Sequence, residues 1–474
     1  MTSSLPRPHG ARVALSGLVL ASTVFGTVLV PATANAATDP APTTPAATAP
    51  PTSDVDAVGI PAPIVGTSAS DLAVAPLGIA EDAQWEDGTR YARSDLRQAG
   101  RWIKKGQQIA VTVPEGMGGV FVGVGQYGNH IGINQCKNVG VAQFAARGGV
   151  TTEITAPHDG LVSVFDTSDT DTGIVHIAGG YPVPTFVKGQ TDRAKFDRQL
   201  REWTASPFFL LIGERVQADV RRHSDEPKDD QNEELVHGDD LDARLAAWDD
   251  VVETNAKFWG GQGKHRVHIA TPSYDVSGSS EYADAHNGFV SFPTDFADPH
   301  NLLTGDRTQA GEGHFRHAIG QVYQQRSTRW KNGFGQADDY ASADLASLVI
   351  EERVNGRNWL DGWTDKVREF RAKPIEQRDF WANQLNATTR SLMFDQLRRA
   401  YGNDVVARTT ARANEDGDRT YRRAFIRAAA QVTKQDLTRF FAEWGISVED
   451  DVRAEMATYP EPKTPIWDDF DALH

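Results

Sequence analysis

The sequence is short of several things, and each shortage excludes a class of protein. One cysteine, Cys136, among 474 residues leaves no intramolecular disulfide and no thiolate-built zinc or iron–sulfur cluster. Basic side chains number 48 against 64 acidic ones, a formal charge of −16, so neither nucleic acid nor an anionic membrane is the expected partner. Beyond residue 30 no apolar run is long enough to span a bilayer. No Gly-x-Ser-x-Gly string offers a serine elbow, and Gly118–Gly125 lacks the Lys-Ser/Thr that would make it a phosphate loop. No internal repeat stands out. What is present is 39% hydrophobic and 24% charged, a globular composition with length for two or three domains.

Residues 1–36 read as a secretory signal peptide. Arg7, His9 and Arg12 form a weakly basic start, Val13–Val30 an apolar stretch, and Ala34-Asn35-Ala36 a cleavage pattern. The competing reading is a membrane anchor, but Ser16, Gly17, Ser22, Thr23, Gly26 and Thr27 dilute the stretch. The expectation is a secreted, extracellular protein without a membrane span after cleavage. Residues 37–84, rich in Ala, Thr and Pro at their start, read as a linker, and residues 461–474 as a short tail.

The folded chain changes character near residue 186. Over 85–185, short apolar runs recur about every ten residues (Gln108–Val113, Gly119–Val124, Gly160–Phe165, Gly173–Ile177) between Gly, Pro, Asn and Asp turns. That pattern predicts a β-sandwich. The string Asp169–Gly173 has too few usable carboxylates for a calcium loop and reads as a hairpin turn. Over 186–460 the apolar spacing is three-to-four, predicting helices at Asp192–Trp203, Leu241–Phe258, Gly313–Gln325, Ala341–Val354, Ile375–Tyr401, Tyr421–Ala430 and Gln435–Trp444. Strands are expected at Phe208–Ile212 and Arg266–Ile269, the latter carrying His268 with His265 beside it, read as sharing one side. The fold class is therefore α+β and multi-domain. Trp359, Trp363, Trp381 and Trp444 fall at spacings that pack helices, and the acidic run Asp225–Asp250 reads as a solvated face.

Chemistry points to the histidines. His314 and His317 lie at i and i+3 on one predicted helix, a seed for zinc or simply one capping and one packed histidine. Cys136, with His130 nearby, reads as a small core residue rather than a nucleophile.

The string His317–Gln324 (HAIGQVYQ) resembles the H-E-L-G-H-x-Y-Q helix of the enhancin-like, mucin-degrading metallopeptidases. Ala178–Gln190, the Gly311-x-Gly313 approach, Asp344–Val349 and Asp436–Pro460 are similar to other segments of that family, so the resemblance covers about residues 100–460. It implies a helix-rich, gluzincin-like peptidase domain behind the β-domain. It also implies roles. His317 falls on the first zinc ligand, Ala318 on the general base, Gln321 on the second ligand, and the third ligand near Tyr340, with Asp338 and Asp339 just before it. A methyl cannot accept a proton, and an amide is a far poorer zinc ligand than an imidazole. The resemblance thus implies a catalytically silent relative with no retained cofactor, binding a glycoprotein or glycan through the cleft. The alternative is an active zinc peptidase with a rearranged site of His314, His317 and Asp339 (or Asp338), using Glu312 or Glu352 as base. Asp284, His286 and Asn287 precede Gly288-Phe289, similar to the family's cleft-lining loop, and are candidates to contact a ligand.

Overall fold

The computed structural model describes residues 62–127, 140–222, 236, 240–261, 264–271, 284–292, 313–330, 341–356, 359–381, 385–416 and 420–468. Ten strands come first: β1 (Ile64–Val65), β2 (Ala69–Val74), β3 (Arg97–Ile103), β4 (Gln108–Thr112), β5 (Val120–Gly125), β6 (Val141–Ala145), β7 (Thr151–Thr155), β8 (Gly160–Asp166), β9 (Gly173–Gly179) and β10 (Tyr181–Pro182). They form two antiparallel five-stranded sheets, ordered β1-β2-β9-β4-β7 and β10-β3-β8-β5-β6. Alternation decides which side chains go in. Ile109 and Val111 of β4 are buried while Gln108 and Thr112 are exposed. Val122, Val124, Val162 and Val164 from the second sheet join Ile109, Val111, Val175 and Ile177 from the first in one apolar cluster.

Strands therefore occur where short apolar runs predict them. They also begin earlier: β1 and β2 lie inside the stretch 37–84 read as linker, and the helix α1 (Ala80–Asp87) begins in it. The reason is visible in β2, where alternation buries Ser70, Leu72 and Val74, and Leu72 and Val74 join the shared cluster.

A third, mixed sheet is built from β11 (Thr185–Val187), β12 (Phe208–Ile212), β13 (Val216–Arg221), β14 (Val267–Ala270), β15 (Asp284–His286) and β16 (Phe289–Ser291), ordered β11-β12-β13-β14-β16-β15. It is covered on both faces. Phe208, Leu210 and Ile212 meet Trp102 and Leu161 of the second sheet. Phe209, Leu211, Val216, Ala218 and Ile269 meet the helices. Those include α2 (Arg193–Glu202), α3 (Leu241–Trp259), α4 (Gly313–Tyr323), α5 (Leu345–Asn355), α6 (Thr364–Arg371), α7 (Ala387–Tyr401), α8 (Val405–Glu415), α9 (Tyr421–Thr433), α10 (Thr438–Glu443) and α11 (Asp450–Met456). The long helix expected over Ile375–Tyr401 is broken instead. Ile375–Gln377 is a single 3-10 turn, and α7 starts where Asn386 Oδ1 accepts the Thr389 N–H at 2.9 Å.

His265 and His268 do not share a side. Side chains alternate along a strand, so residues three apart face opposite ways. His265 is 2% exposed, with Nε2 at 3.0 Å from Gly78 O and 3.6 Å from Asp95 Oδ1. His268 lies instead against Asp219 and Gln217.

The His265–Asp95 pair carries two opposed titrations. Burial, helped by Arg93, Arg97 and Lys264, pushes His265 down to about 4. Burial pushes Asp95 up to about 6, against the bond from Ala80 N–H and the Arg97 charge. From pH 6.5 to 4 the unfolded chain takes up the His265 proton and the folded chain does not, so this group loses about 3 kcal/mol of stability. From pH 6 to 3.8 the folded chain takes up the Asp95 proton first, which returns about 2–3 kcal/mol. The two slopes offset each other. Asp95→Asn is expected to uncover a loss of about 3 kcal/mol between pH 6.5 and 4.5, and His265→Gln a gain over the same range. Urea unfolding at three pH values checks this, and parallel slopes for the two variants would overturn it.

Candidate functional site

The site is made by α4 pressed against the start of α5. Phe315, Ala318, Ile319, Val322 and Tyr323 bury one face of α4, with Phe315 stacked 5.7 Å from Trp248 of α3. Arg316 ties α4 to α5 through Glu351 at 3.0 Å, both side chains nearly buried. Beyond the helix, Gln324 Nε2 donates to Ser342 Oγ at 2.8 Å, and Gln324 O accepts Arg90 N–H at 2.7 Å.

Gly320 sets the approach. A Cβ there would stand 2.0 Å from Ala343 O, so the backbone before α5 occupies the space of a side chain. Gly320→Ala is expected to cost about 3 kcal/mol by forcing a backbone shift, read by urea unfolding. A cost below about 1 kcal/mol would show that the helices can part freely.

That contact delivers Asp344 to His317. His317 Nδ1 lies 2.7 Å from Asp344 Oδ1, and His317 Nε2 lies 2.9 Å from Gln321 Nε2. The carboxylate accepts from Nδ1–H, which leaves the lone pair on Nε2, where the Gln321 amide donates. Both ring nitrogens of the half-buried imidazole are in use. Ala318 presents a fully buried methyl. Gln321 is 3% exposed, and its Oε1 has no hydrogen-bond partner.

These residues do not fit zinc. The lone pair that would bind the ion is taken by an amide donor, and no acid stands at position 318. Among the described residues no three His, Cys, Asp or Glu gather to hold a metal ion. The His314 side chain and Glu312, Asp338, Asp339 and Tyr340 lie outside the described residues, as do His130 and Cys136. Glu352, the other candidate base, is held by Arg398 with Nη1 at 2.9 Å from Oε2, and faces α7 instead.

Of the cleft-loop candidates, Asn287 Oδ1 accepts Ala92 N–H at 2.9 Å, and His286 stacks on Phe289 at 4.6 Å with Nε2 at 3.1 Å from Ser291 Oγ. Only the backbone of Asp284 is described, as part of β15. Behind them sits a polar group the sequence did not reveal. Asp219 and His268 are both 1% exposed and 3.1 Å apart, and the Tyr127 ring packs edge-on to His268 at 5.1 Å. Burial raises the Asp219 carboxyl, opposed by His268. Asp344 was also missed as a partner of His317. Its only signal was its place at the head of a helix following the histidine helix.

The model of the peptidase M60, enhancin and enhancin-like family matches residues 179–445. Comparison with curated proteins finds no match. Among solved structures, a functionally unknown conserved protein from Bacillus anthracis str. Ames is 20% identical, covering 84% of this chain and 80% of that one, with a TM-score of 0.69. The ZmpB metallopeptidase from Clostridium perfringens is 17% identical over 84% and 82%, with a TM-score of 0.65. The M60 catalytic domain of Clostridium perfringens ZmpC, solved in complex with the sialyl T antigen, is 16% identical over 84% and 81%, also at 0.65. At these identities the likeness is one of fold.

Proposed function

The chain belongs to the peptidase M60, enhancin and enhancin-like family, and from that membership we propose that it is a secreted, catalytically silent member that holds a glycoprotein or glycan in the family cleft. One observation carries the silence: His317 spends both ring nitrogens on Asp344 and Gln321, beside the methyl of Ala318. Hydrolysis by this family's chemistry needs a metal-bound water and a group to take its proton. A missing acid–base group alone costs about 10²–10⁴-fold in rate, and a missing ligand removes the metal that makes the nucleophile.

The ligand class rests on a relative solved with the sialyl T antigen. Export rests on residues 1–36; among the described residues, no helix is long and apolar enough to cross a membrane. We read the two five-stranded sheets as a β-sandwich, because their inner side chains share one cluster.

Elemental analysis of the purified chain is expected to find zinc far below one per molecule. Casein and mucin are expected to stay intact, while a mucin-type glycan array gives binding. Near-stoichiometric zinc lost on His317→Ala, or cleavage stopped by chelator, would favour the His314–His317–Asp339 centre instead. An array with no binding would overturn the ligand class.

A further inference from the structure

Arg326 lies just beyond α4, in the 3-10 turn Arg326–Thr328, and its guanidinium carbon stands 3.7 Å from the ring centroid of Trp85. Trp85 belongs to α1 and is 65% exposed, unusual for the largest apolar side chain. The backbone locks the two together, since Arg326 N–H donates to Gly88 O at 3.0 Å.

The guanidinium is half-buried and makes no ion pair among the described residues. The charges acting on it are Arg329, of like sign, and the phenol of Tyr421. Of the acids on the adjoining elements, Asp87 pairs with Arg93 and Glu415 with Arg412, each at 2.9 Å, and Glu81, Asp82 and Glu86 of α1 are not among the groups acting on the guanidinium. In a chain of net charge −16, a desolvated cation without a counter-charge is conspicuous.

We propose that Trp85 and Arg326 form a binding site for a carboxylated sugar, separate from the His317 site and independent of the reading given for it. The planar fork of Arg326 matches a carboxylate bidentately, and the exposed indole offers an apolar surface to the C–H face of a pyranose. Tyr421, 37% exposed, rims the same patch. A sugar acid fits better than an acidic peptide. Neither α1 nor the 3-10 turn offers the open strand edge by which extended peptides gain backbone hydrogen bonds.

Isothermal titration calorimetry with a galacturonic acid hexasaccharide tests the site on the full chain. The acid form is expected to bind, its methyl ester about tenfold or more weaker, and added salt to weaken the acid form. Trp85→Ala and Arg326→Gln are each expected to cost about tenfold in affinity while a cooperative unfolding transition is kept, with only a small shift of its midpoint. Arg326→Lys keeps the charge but not the fork and is expected to recover part of the binding. No binding of the acid hexasaccharide, equal binding of the ester, or wild-type affinity in both Trp85→Ala and Arg326→Gln would overturn the proposal. So would tighter binding of a Glu/Tyr copolymer peptide, which would mark the patch as a peptide site.

Discussion

Zinc is expected to stabilise the Ala318→Glu/Gln321→His protein by about 3 kcal/mol at a hundredfold excess over its dissociation constant, and to leave the parent chain unmoved. The substitutions return an imidazole four residues after His317, on the same helical face. They also remove the amide that now donates to His317 Nε2. The support for that imidazole is already in place, since Asp344 holds Nδ1–H and fixes the ring with Nε2 directed away from α5. Without metal the variant is expected to be less stable than the parent by several kcal/mol, because position 318 is fully buried and a carboxylate there has no partner. The zinc effect is therefore read from a lowered baseline, by thermal unfolding with and without the metal. Gln321→His alone tests the second imidazole, and His317→Ala added to the double variant should abolish the response. If zinc moves parent and double variant equally, the loss of chemistry lies deeper than two side chains.

How much of this was legible beforehand depends on the range over which each feature is encoded. The strands of the first two sheets announce themselves locally, because apolar residues alternate between Gly and Pro turns. The helices at α3 and α4 do so through their three-to-four spacing. Strand β13 is different: Gln217 and Asp219 sit inside, so its pattern reads as polar while every residue but the last is buried. The strands at 64–74 follow directly on an Ala/Pro/Thr-rich stretch, and the edge strand β1 is only two residues long, so neither stands out from the linker pattern. At the site, Ala318 and Gln321 are readable one by one from the motif. Asp344 is not, since its meeting with His317 depends on Gly320 letting two helices close to backbone contact. The Trp85–Arg326 pair joins residues 241 positions apart, with no motif at either end.

Arg101→Met is expected to cost about 2–3 kcal/mol, a large loss for a single side chain remote from the site. Arg101 is fully buried with no acid beside it, and desolvation lowers it to about 10. Desolvation works against that charge by about 3 kcal/mol, yet the group stays protonated at neutral pH, and the gain from hydrogen bonding offsets part of the cost. The gain is a set of carbonyls: Nε reaches Gly179 O at 2.8 Å, Nη1 reaches Gly66 O at 2.9 Å and Thr67 O at 3.3 Å, and Nη2 reaches Gly180 O at 2.7 Å. Gly66 and Thr67 lie between β1 and β2, whereas Gly179 and Gly180 join β9 to β10, so one fork links turns from both sheets. A bulge between Gln98 and Arg101 aims it, with Gly100 at φ +67° and a Cβ there 2.2 Å from Val65 Cγ2. Methionine fills the volume but takes the donor from four carbonyl oxygens, of which those of exposed Gly66 and Thr67 can turn to water while those of half-buried Gly179 and Gly180 bear most of the cost. Lysine keeps the charge yet cannot reach four acceptors on two sides, and is expected to recover less than half of the loss. Urea midpoints at constant m-value read both variants, and a Met variant within about 1 kcal/mol of the parent would mean water already reaches those carbonyls. With one cysteine in the chain, an intramolecular cross-link between sheets has to be made without sulfur, and the Arg101 fork makes one.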